Sequence, residues 1–199
     1  AKAIVDYKLT STLNTWEQLS ILEQTLQSPI KVHVKFDTGM HRMGFALKDA
    51  EKVFAKLKGH NKIQVEGIMT HLHSGEDADD VNGSSFQQLK DFQNVIEIFK
   101  PLNPIAHALN SSGAMNFAKH KNSRLPFGIS SVQPARPGLA LYGVSPIENP
   151  PVKLEPVMSV RTKTTKYLEV KAGETVSYSA TWQAPVDSVV AVVPMGYAD

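Results

Sequence analysis

The chain has 199 residues, of which 42% are hydrophobic and 20% are charged, a composition typical of folded globular proteins. Its formal net charge of +2, spread without a basic stripe, argues against a nucleic-acid-binding domain. The absence of cysteine excludes disulfides and thiolate zinc sites, and the sequence has no apolar run of membrane-spanning length and no signal-peptide pattern. We therefore expect a cytoplasmic protein that binds neither nucleic acid nor membranes.

The first part of the sequence contains four segments with helical periodicity. Asn14 can cap the first helix, with Glu17 as its capping-box partner. The apolar stripe of this helix consists of Trp16, Leu19, Leu22 and Leu26. Further helices are predicted over 50–57, where Gly59 follows the end, over 86–99, where Pro101 terminates the helix, and over 112–117.

Three strands are predicted between these helices, over 31–36, 63–70 and 105–109. The first alternates strictly, so that Val32, Val34 and Phe36 share one face. Lys31, His33 and Lys35 share the other face, and Lys35 can therefore point along the interior of a barrel. The β-α-β-α-β-α order with short connections is typical of a parallel sheet.

The character of the sequence changes near Pro150. Asn149, Pro150 and Pro151 break regular structure, and beyond them the stretches 158–170 and 175–182 are rich in Val, Thr and Tyr. We predict an α/β fold, in which a partial (β/α)8 TIM-type barrel over 1–154 is followed by the start of an all-β C-terminal domain over 155–199.

Three of the predicted strands lead into polar residues. Lys35, His71 and Asn110 fall at the C-terminal ends of strands, the rim where β/α barrels bind ligands, and Arg42 follows in the first of these loops. Taken singly, each has an ordinary structural explanation: a solvated lysine, a surface arginine, a histidine satisfied in the core, or an asparagine that caps a helix. Position alone makes them candidates.

Five ordered motifs resemble those of a known family. They are KFDTGMHRMG from Lys35, GIMTHLHSGED from Gly67, HALNSSGA from His107, ARPGLALYG from Ala135, and VSYSATW from Val176 followed by PMGYAD from Pro194. Together they resemble the alanine racemase family. The resemblance implies a barrel that binds pyridoxal 5'-phosphate and interconverts L- and D-alanine, the D-alanine being used for peptidoglycan. It also implies a homodimer with shared active sites.

The resemblance implies a two-base mechanism. Tyr178 matches the tyrosine that acts as acid and base in the active site of the partner subunit. The other base is the family's pyridoxal-binding lysine, which has no match in this sequence. Because the sequence starts at Ala1 without methionine and stops at Asp199 inside the last motif, we expect a segment of a longer protein, with that lysine upstream.

The resemblance also implies roles at the barrel rim. Lys35 matches a lysine that is carbamylated, and Arg42 matches an arginine that binds the substrate carboxylate. His71 matches a histidine that lies near the cofactor ring and hydrogen-bonds the arginine matching Arg136. Arg136 matches the residue that faces the pyridine nitrogen, where its fixed charge keeps that nitrogen unprotonated and limits side reactions such as transamination.

The remaining implied roles concern the phosphate and the substrate entrance. Ser111 matches a hydroxyl that binds the phosphate, and Gly138 and Leu139 match residues that bind it through backbone N–H groups. Asn110, next to Ser111, is expected among the cofactor-binding residues. Tyr197 matches a tyrosine at the substrate entrance.

Three alternatives stay open. His71, Leu72 and His73, with Glu76, Asp77 and Asp79 nearby, form a plausible divalent metal set for a barrel hydrolase, although the family resemblance implies no metal. A related barrel can also carry pyridoxal phosphate without catalysis, but such proteins lack the β domain and its tyrosine. Other racemases of this fold act on serine, lysine or a broader set of amino acids.

Overall fold

A parallel sheet organises the first of two structural units, which extend over Ala1–Val157 and Met158–Asp199. The structure is a computed structural model that describes residues 1–77, 80–119 and 134–197, except for the side chain of Lys119. The sheet contains β1 (Ser11–Leu13), β2 (Ile30–Asp37), β3 (Phe45–Ala46), β4 (Ile63–Met69) and β5 (Ile105–His107). The main order is β1-β2-β4-β5, β3 pairs with the end of β2, and every pair is parallel, as predicted.

The strand β5 ends two residues earlier than the sequence predicts, at His107 rather than at 109. Beyond it the backbone carbonyls accept hydrogen bonds from Arg136 instead of from a neighbouring strand. The backbone N–H of Arg136 donates to Leu109 O at 2.9 Å, and its Nη2 lies 3.4 Å from Ala108 O. A partner distant in sequence therefore sets the end of this strand.

The helices of this unit are α1 (Lys2–Asp6), α2 (Trp16–Thr25), α3 (Ala50–Leu57), α4 (Ser84–Phe99) and α5 (Ser111–Lys119). The four predicted helices are all present, with ends within about two residues of those predicted. The short helix α1 was not predicted.

The cap of α2 lies one residue later than predicted. Thr15, not Asn14, is the N-cap, and its side chain accepts a hydrogen bond from the backbone N–H of Gln18 at 3.0 Å. The side-chain Oε1 of Gln18 in turn accepts a hydrogen bond from the backbone N–H of Asn14, also at 3.0 Å. Residues 14–18 contain two overlapping capping patterns, and the sequence alone does not distinguish them. Trp16, placed on the apolar stripe, is 39% exposed and packs edge-on against Phe45.

The core lies on the face of β2 that carries its apolar residues. Val32, Val34 and Phe36 are 0% exposed, and the ring of Phe36 meets that of Phe99 at 5.5 Å. Each such side chain contributes about 1.5–3 kcal/mol when it is fully buried. The other face of β2 carries polar side chains, as the alternation predicts, and it is this face that leads to the candidate site.

The second unit is built from antiparallel strands, in agreement with the predicted β character. The strand β6 (Lys166–Val170) pairs with β9 (Ser188–Val192), and β7 (Thr175–Val176) pairs with β8 (Trp182–Gln183). The residues from 158 to 165, which were included in the β-rich stretch, contain no strand. Nowhere in the described ranges does a helix have the length and apolar character needed to cross a membrane.

Candidate active site

The carboxyl ends of parallel strands bring polar side chains to one edge of the sheet. Lys35 lies near the end of β2, and His71 and Asn110 follow the ends of β4 and β5. Lys35 is only 7% exposed, and its Nζ donates to the carbonyl of Met43 at 2.6 Å. Lys35 is therefore a buried lysine rather than the solvated lysine of the ordinary explanation. Arg42, in the loop after β2, is exposed.

Asn110 caps the helix α5. Its Oδ1 accepts hydrogen bonds from the Gly113 N–H at 3.0 Å and from the Ser112 hydroxyl at 3.1 Å. Its amide nitrogen donates to Leu72 O at 3.0 Å, which joins the start of α5 to the loop after β4. The capping role considered from the sequence is thus present, and a role of Asn110 in cofactor binding stays a prediction.

Arg136 is the most highly connected side chain at this edge. Its Nη2 donates to Thr70 O at 2.5 Å and lies 3.5 Å from His71 Nδ1, and its Nη1 contacts Nδ1 of His107. The contact with His71 is the one implied by the resemblance. Arg136 also contacts His107, a residue for which neither the sequence pattern nor the resemblance implied a role. A guanidinium bonded on two nitrogens has a fixed plane.

Positive charges surround His71. Burial, followed by the charges of Arg136, Arg42 and Lys35, lowers the pKa of His71 to about 4, so the imidazole is neutral at physiological pH. Burial and the charge of Arg42 also lower the pKa of Lys35. The site therefore combines two arginines and a lysine with a neutral histidine, an arrangement suited to binding an anion.

Ser111 forms a second part of the site with the loop after Arg136. Its hydroxyl oxygen accepts the N–H of Gly138 at 2.8 Å and that of Ala140 at 3.3 Å. A hydroxyl has two acceptor positions and one donor, so Ser111 can also donate its O–H to an incoming acceptor. Among the described residues, no atom lies within 4 Å of a Cβ placed on Gly138, which leaves space beside these amides in that part of the chain. Leu139, expected to contribute its N–H, lies between the two amides that reach Ser111.

A buried glutamine holds the loop that carries His71. Gln88 is 2% exposed, and its amide nitrogen donates to His71 O at 3.1 Å and to Thr38 Oγ1 at 3.2 Å. Its Oε1 accepts the N–H of His73 at 3.0 Å. Thr38 in turn lies 2.7 Å from the hydroxyl of Thr70. No local pattern in the sequence indicates this support, because the contacts join residues up to 50 positions apart.

Comparisons with known proteins match this arrangement to one family. The family model for the alanine racemase N-terminal domain matches residues 1–146, and that for the alanine racemase C-terminal domain matches residues 157–199. The chain belongs to the alanine racemase family. An alanine racemase from Sorangium cellulosum is 37% identical over 183 residues, which are 90% of this chain and 45% of that protein.

Solved alanine racemases share the fold. Those from E. faecalis and Pseudomonas aeruginosa match with TM-scores of 0.73 and 0.75 at 28% and 25% identity, over 100% of this chain and 52% of each of theirs. The fold is therefore a partial TIM-type α/β barrel followed by the start of a β domain, which confirms the prediction. The chain spans about half the length of the curated alanine racemases it matches.

The two tyrosines assigned through the alanine racemase resemblance lie in the second unit. Tyr178 is 95% exposed, and Tyr197 is also fully exposed. The backbone beside Tyr178 has φ values of 66° at Ser177, 61° at Ser179 and 50° at Ala180. Such values are strained for residues other than glycine and concentrate at functional sites, which draws attention to this segment independently of the motif.

The metal alternative receives no support from the described part of the chain. His71 faces Arg136, whereas Nδ1 of His73 bonds to Ser74 Oγ at 2.9 Å. Among the described residues no group of three or more His, Cys, Asp or Glu side chains is arranged to hold a metal ion. Asp79, a member of the predicted set, lies outside the described residues.

Proposed function

We propose that the full-length protein interconverts L- and D-alanine with pyridoxal 5'-phosphate as cofactor. The observation that carries the proposal is Arg136, a permanent cation fixed at the strand ends by His107 and by backbone carbonyls. Many pyridoxal enzymes place a carboxylate against the ring nitrogen, whereas an arginine there weakens the electron sink and favours simple proton transfer over transamination.

The residues present fit this cofactor. The Ser111 hydroxyl would donate to the phosphate, next to the start of the helix α5, together with the backbone N–H of Leu139. The N–H groups of Gly138 and Ala140 here donate to the Ser111 oxygen, and they would turn to the phosphate when it is bound. Arg136 would face the pyridine nitrogen. His71 would lie beside the ring, and its neutral state allows it to accept a hydrogen bond from Arg136. Asn110 would hold the loop and the helix start in register.

When bound, pyridoxal phosphate would supply the electron sink that makes the hydrogen on the substrate's α-carbon acidic. Removal of a proton from one face and delivery of a proton to the other inverts that carbon. Tyr178 would hold one of these protons on its hydroxyl, in the active site of the partner subunit of a homodimer. The second base would be the family's pyridoxal-binding lysine, which has no match among the residues of this sequence.

Arg42 would bind the substrate carboxylate, because a guanidinium matches a carboxylate with two parallel hydrogen bonds. The side chain of Lys35 would be carbamylated on Nζ. Carbamylation needs the neutral amine, and burial of Lys35 beside Arg42 lowers its pKa and so increases the neutral fraction. The resulting anion could pair with Arg42. Tyr197 would line the entrance for the substrate.

The D-alanine formed in the cytoplasm would supply peptidoglycan synthesis. Related racemases that act on serine, lysine or a broader set remain the alternative for the substrate, and the same assay can distinguish them. Full-length protein is incubated with pyridoxal phosphate and each L-amino acid in turn, and the D-enantiomer is measured by chiral chromatography. We expect D-alanine to form fastest. Faster conversion of another amino acid would overturn the assignment of alanine.

Arg136→Glu tests the role of the arginine directly. We expect this variant to lose racemisation and to form more pyruvate from alanine, since a carboxylate at that position allows the ring nitrogen to be protonated. Arg161→Glu, which makes the same charge change at an exposed residue of the second unit, serves as the control. An unchanged ratio of pyruvate to D-alanine in Arg136→Glu would contradict the proposed role.

A further inference from the structure

A series of polar side chains begins at Arg136, beside the carboxyl ends of the strands, and continues across three neighbouring strands of the sheet. Nδ1 of His107, in β5, contacts Nη1 of Arg136. The other nitrogen of His107, Nε2, lies 2.7 Å from Nδ1 of His33, in β2. Nε2 of His33 lies 3.5 Å from Oε2 of Glu66, in β4. Four residues from three strands and one loop thus form a continuous series.

The direction of every proton in this series follows from Arg136. A guanidinium has only donors, so Nδ1 of His107 must accept. A neutral imidazole has one donor and one acceptor, so Nε2 of His107 carries the hydrogen and donates it to Nδ1 of His33. By the same rule, Nε2 of His33 donates toward Glu66. A protonated His33 would present a second donor to His107 and break the series.

The charges along the series agree with this order. Burial, followed by the charge of Arg136, lowers the pKa of His107 to about 4, which keeps this ring neutral. Hydrogen bonds from Lys31 at 2.6 Å and Thr10 at 3.1 Å lower the pKa of Glu66, which keeps the final acceptor ionised. The two imidazoles therefore lie between a cation, Arg136, and an anion, Glu66.

A register shift between β2 and β4 provides the space for this series of side chains. The pairing of β2 with β4 shifts between Val32 and His33, so that Val32 pairs with Val65 but His33 pairs with Gly67. Glu66 is the residue passed over, and Gly67 offers no side chain against the His33 ring. The shift therefore places a carboxylate and an empty position next to one imidazole.

We propose that Glu66, His33 and His107 are positioning residues that fix the orientation and the proton arrangement of the Arg136 guanidinium. This inference rests on the proposed function, since it concerns the group expected to face the cofactor nitrogen. Breaking the series releases one side of the guanidinium. A small displacement of a group that contacts a cofactor is enough to lower a rate by about a hundredfold.

Two variants of His33 in the full-length protein test the proposal. His33→Phe keeps a ring of similar size and removes both nitrogens, whereas His33→Asn retains an acceptor close to the position of Nδ1. We expect His33→Phe to lower kcat for alanine about tenfold or more with a small change in KM, and His33→Asn to recover most of the loss. A wild-type kcat in His33→Phe, or equal losses in both variants at equal melting temperature, would overturn the proposal.

The chain offers a matched control for Glu66. Glu23 also lies beside a lysine and a histidine, Lys56 at 3.4 Å and His60 at 3.9 Å, and its side chain is 30% exposed against 28% for Glu66. We expect Glu66→Leu to lower kcat and Glu23→Leu to leave it unchanged. Equal kcat values for the two variants would contradict the proposed series.

Nuclear magnetic resonance of protein labelled with nitrogen-15 in its histidine rings tests the proton order without any reaction. We expect both His33 and His107 to carry hydrogen on Nε2 at neutral pH, with the resonances assigned from the variants. Hydrogen on Nδ1 of either ring, or a protonated His33, would overturn the proposal. Failure of the wild-type protein to racemise alanine would instead overturn the proposed function, because this measurement does not depend on turnover.

Discussion

Gly67 leaves the space that the ring of His33 occupies: a Cβ at residue 67 would lie 2.7 Å from both Cε1 and Nδ1 of that imidazole. The two residues are paired in register across β2 and β4. No ordinary side-chain contact is that short, so even a methyl group at this position requires the ring or a strand to move. The glycine is therefore needed for its lack of a side chain.

The first prediction concerns this contact. Gly67→Ala should lower the free energy of unfolding by about 1–3 kcal/mol, the usual cost of overpacking a core. Urea unfolding of the full-length protein measures the change. His33→Ala provides the control background, because removal of the ring removes the clash. In that background Gly67→Ala should change the free energy of unfolding only slightly. An equal loss of free energy in both backgrounds would show that the His33 ring does not cause the destabilisation.

The second prediction concerns the carbamate of Lys35. Protein equilibrated with carbon-13-labelled bicarbonate should show a carbamate resonance, because the lowered pKa of Lys35 raises its neutral fraction and only the neutral amine reacts with carbon dioxide. Lys35→Arg should remove the resonance. Lys31→Arg, on the same face of β2 but paired with Glu66 and more exposed, should retain it. A resonance that survives Lys35→Arg belongs to another amine.

The third prediction concerns Tyr178 as one of two bases. Tyr178→Phe should retain cofactor binding and lower kcat for racemisation on the order of a hundredfold or more, the usual loss when a positioned acid–base group is removed. Exchange of the α-hydrogen with deuterated water should persist for one enantiomer and fail for the other. Tyr167→Phe, which removes an exposed hydroxyl from the same unit, is the control. Exchange of both enantiomers at wild-type rates would exclude Tyr178 as a base.

The fourth prediction concerns stability in acid. Burial, followed by the charge of Arg136, lowers the pKa of His71 and of His107 to about 4 in the folded protein. A histidine in the unfolded chain has a pKa of about 6.5. Between these values the unfolded chain binds protons that the folded protein does not, so the free energy of unfolding falls as the pH falls from about 6.5 to 4. Above a pH of about 6.5 the two histidines are neutral in both the folded and the unfolded protein, so they do not change the free energy of unfolding with pH.

Chemical denaturation at a series of pH values measures this dependence. Because other groups also titrate in the same range, the informative comparison is with His107→Gln, which removes one of the two histidines. The slope of stability against pH should be smaller in the variant. A variant with the wild-type slope would show that the buried imidazole of His107 is not a source of the acid sensitivity.

The sequence by itself determined the elements and most of their faces. The strict alternation of β2 separates Val34 and Phe36 from His33 and Lys35 whatever lies elsewhere in the chain, because successive side chains of a strand point to opposite faces. Helix periodicity and the proline after α4 are equally local. The capping of α2 was placed one residue too early, since two overlapping patterns satisfy the same local rule and only the folded chain selects between them.

The tertiary structure decided which polar residues meet. His33 and His107 are 74 residues apart, and Arg136 is 29 residues beyond His107, so no sequence period relates them. Their contact depends on the parallel order of β2, β4 and β5 and on the register shift opposite Gly67. The resemblance implied a contact between His71 and Arg136. The contact between His107 and Arg136 arises only where strands distant in sequence bring their inward faces together, because a buried polar group needs a partner within the fold.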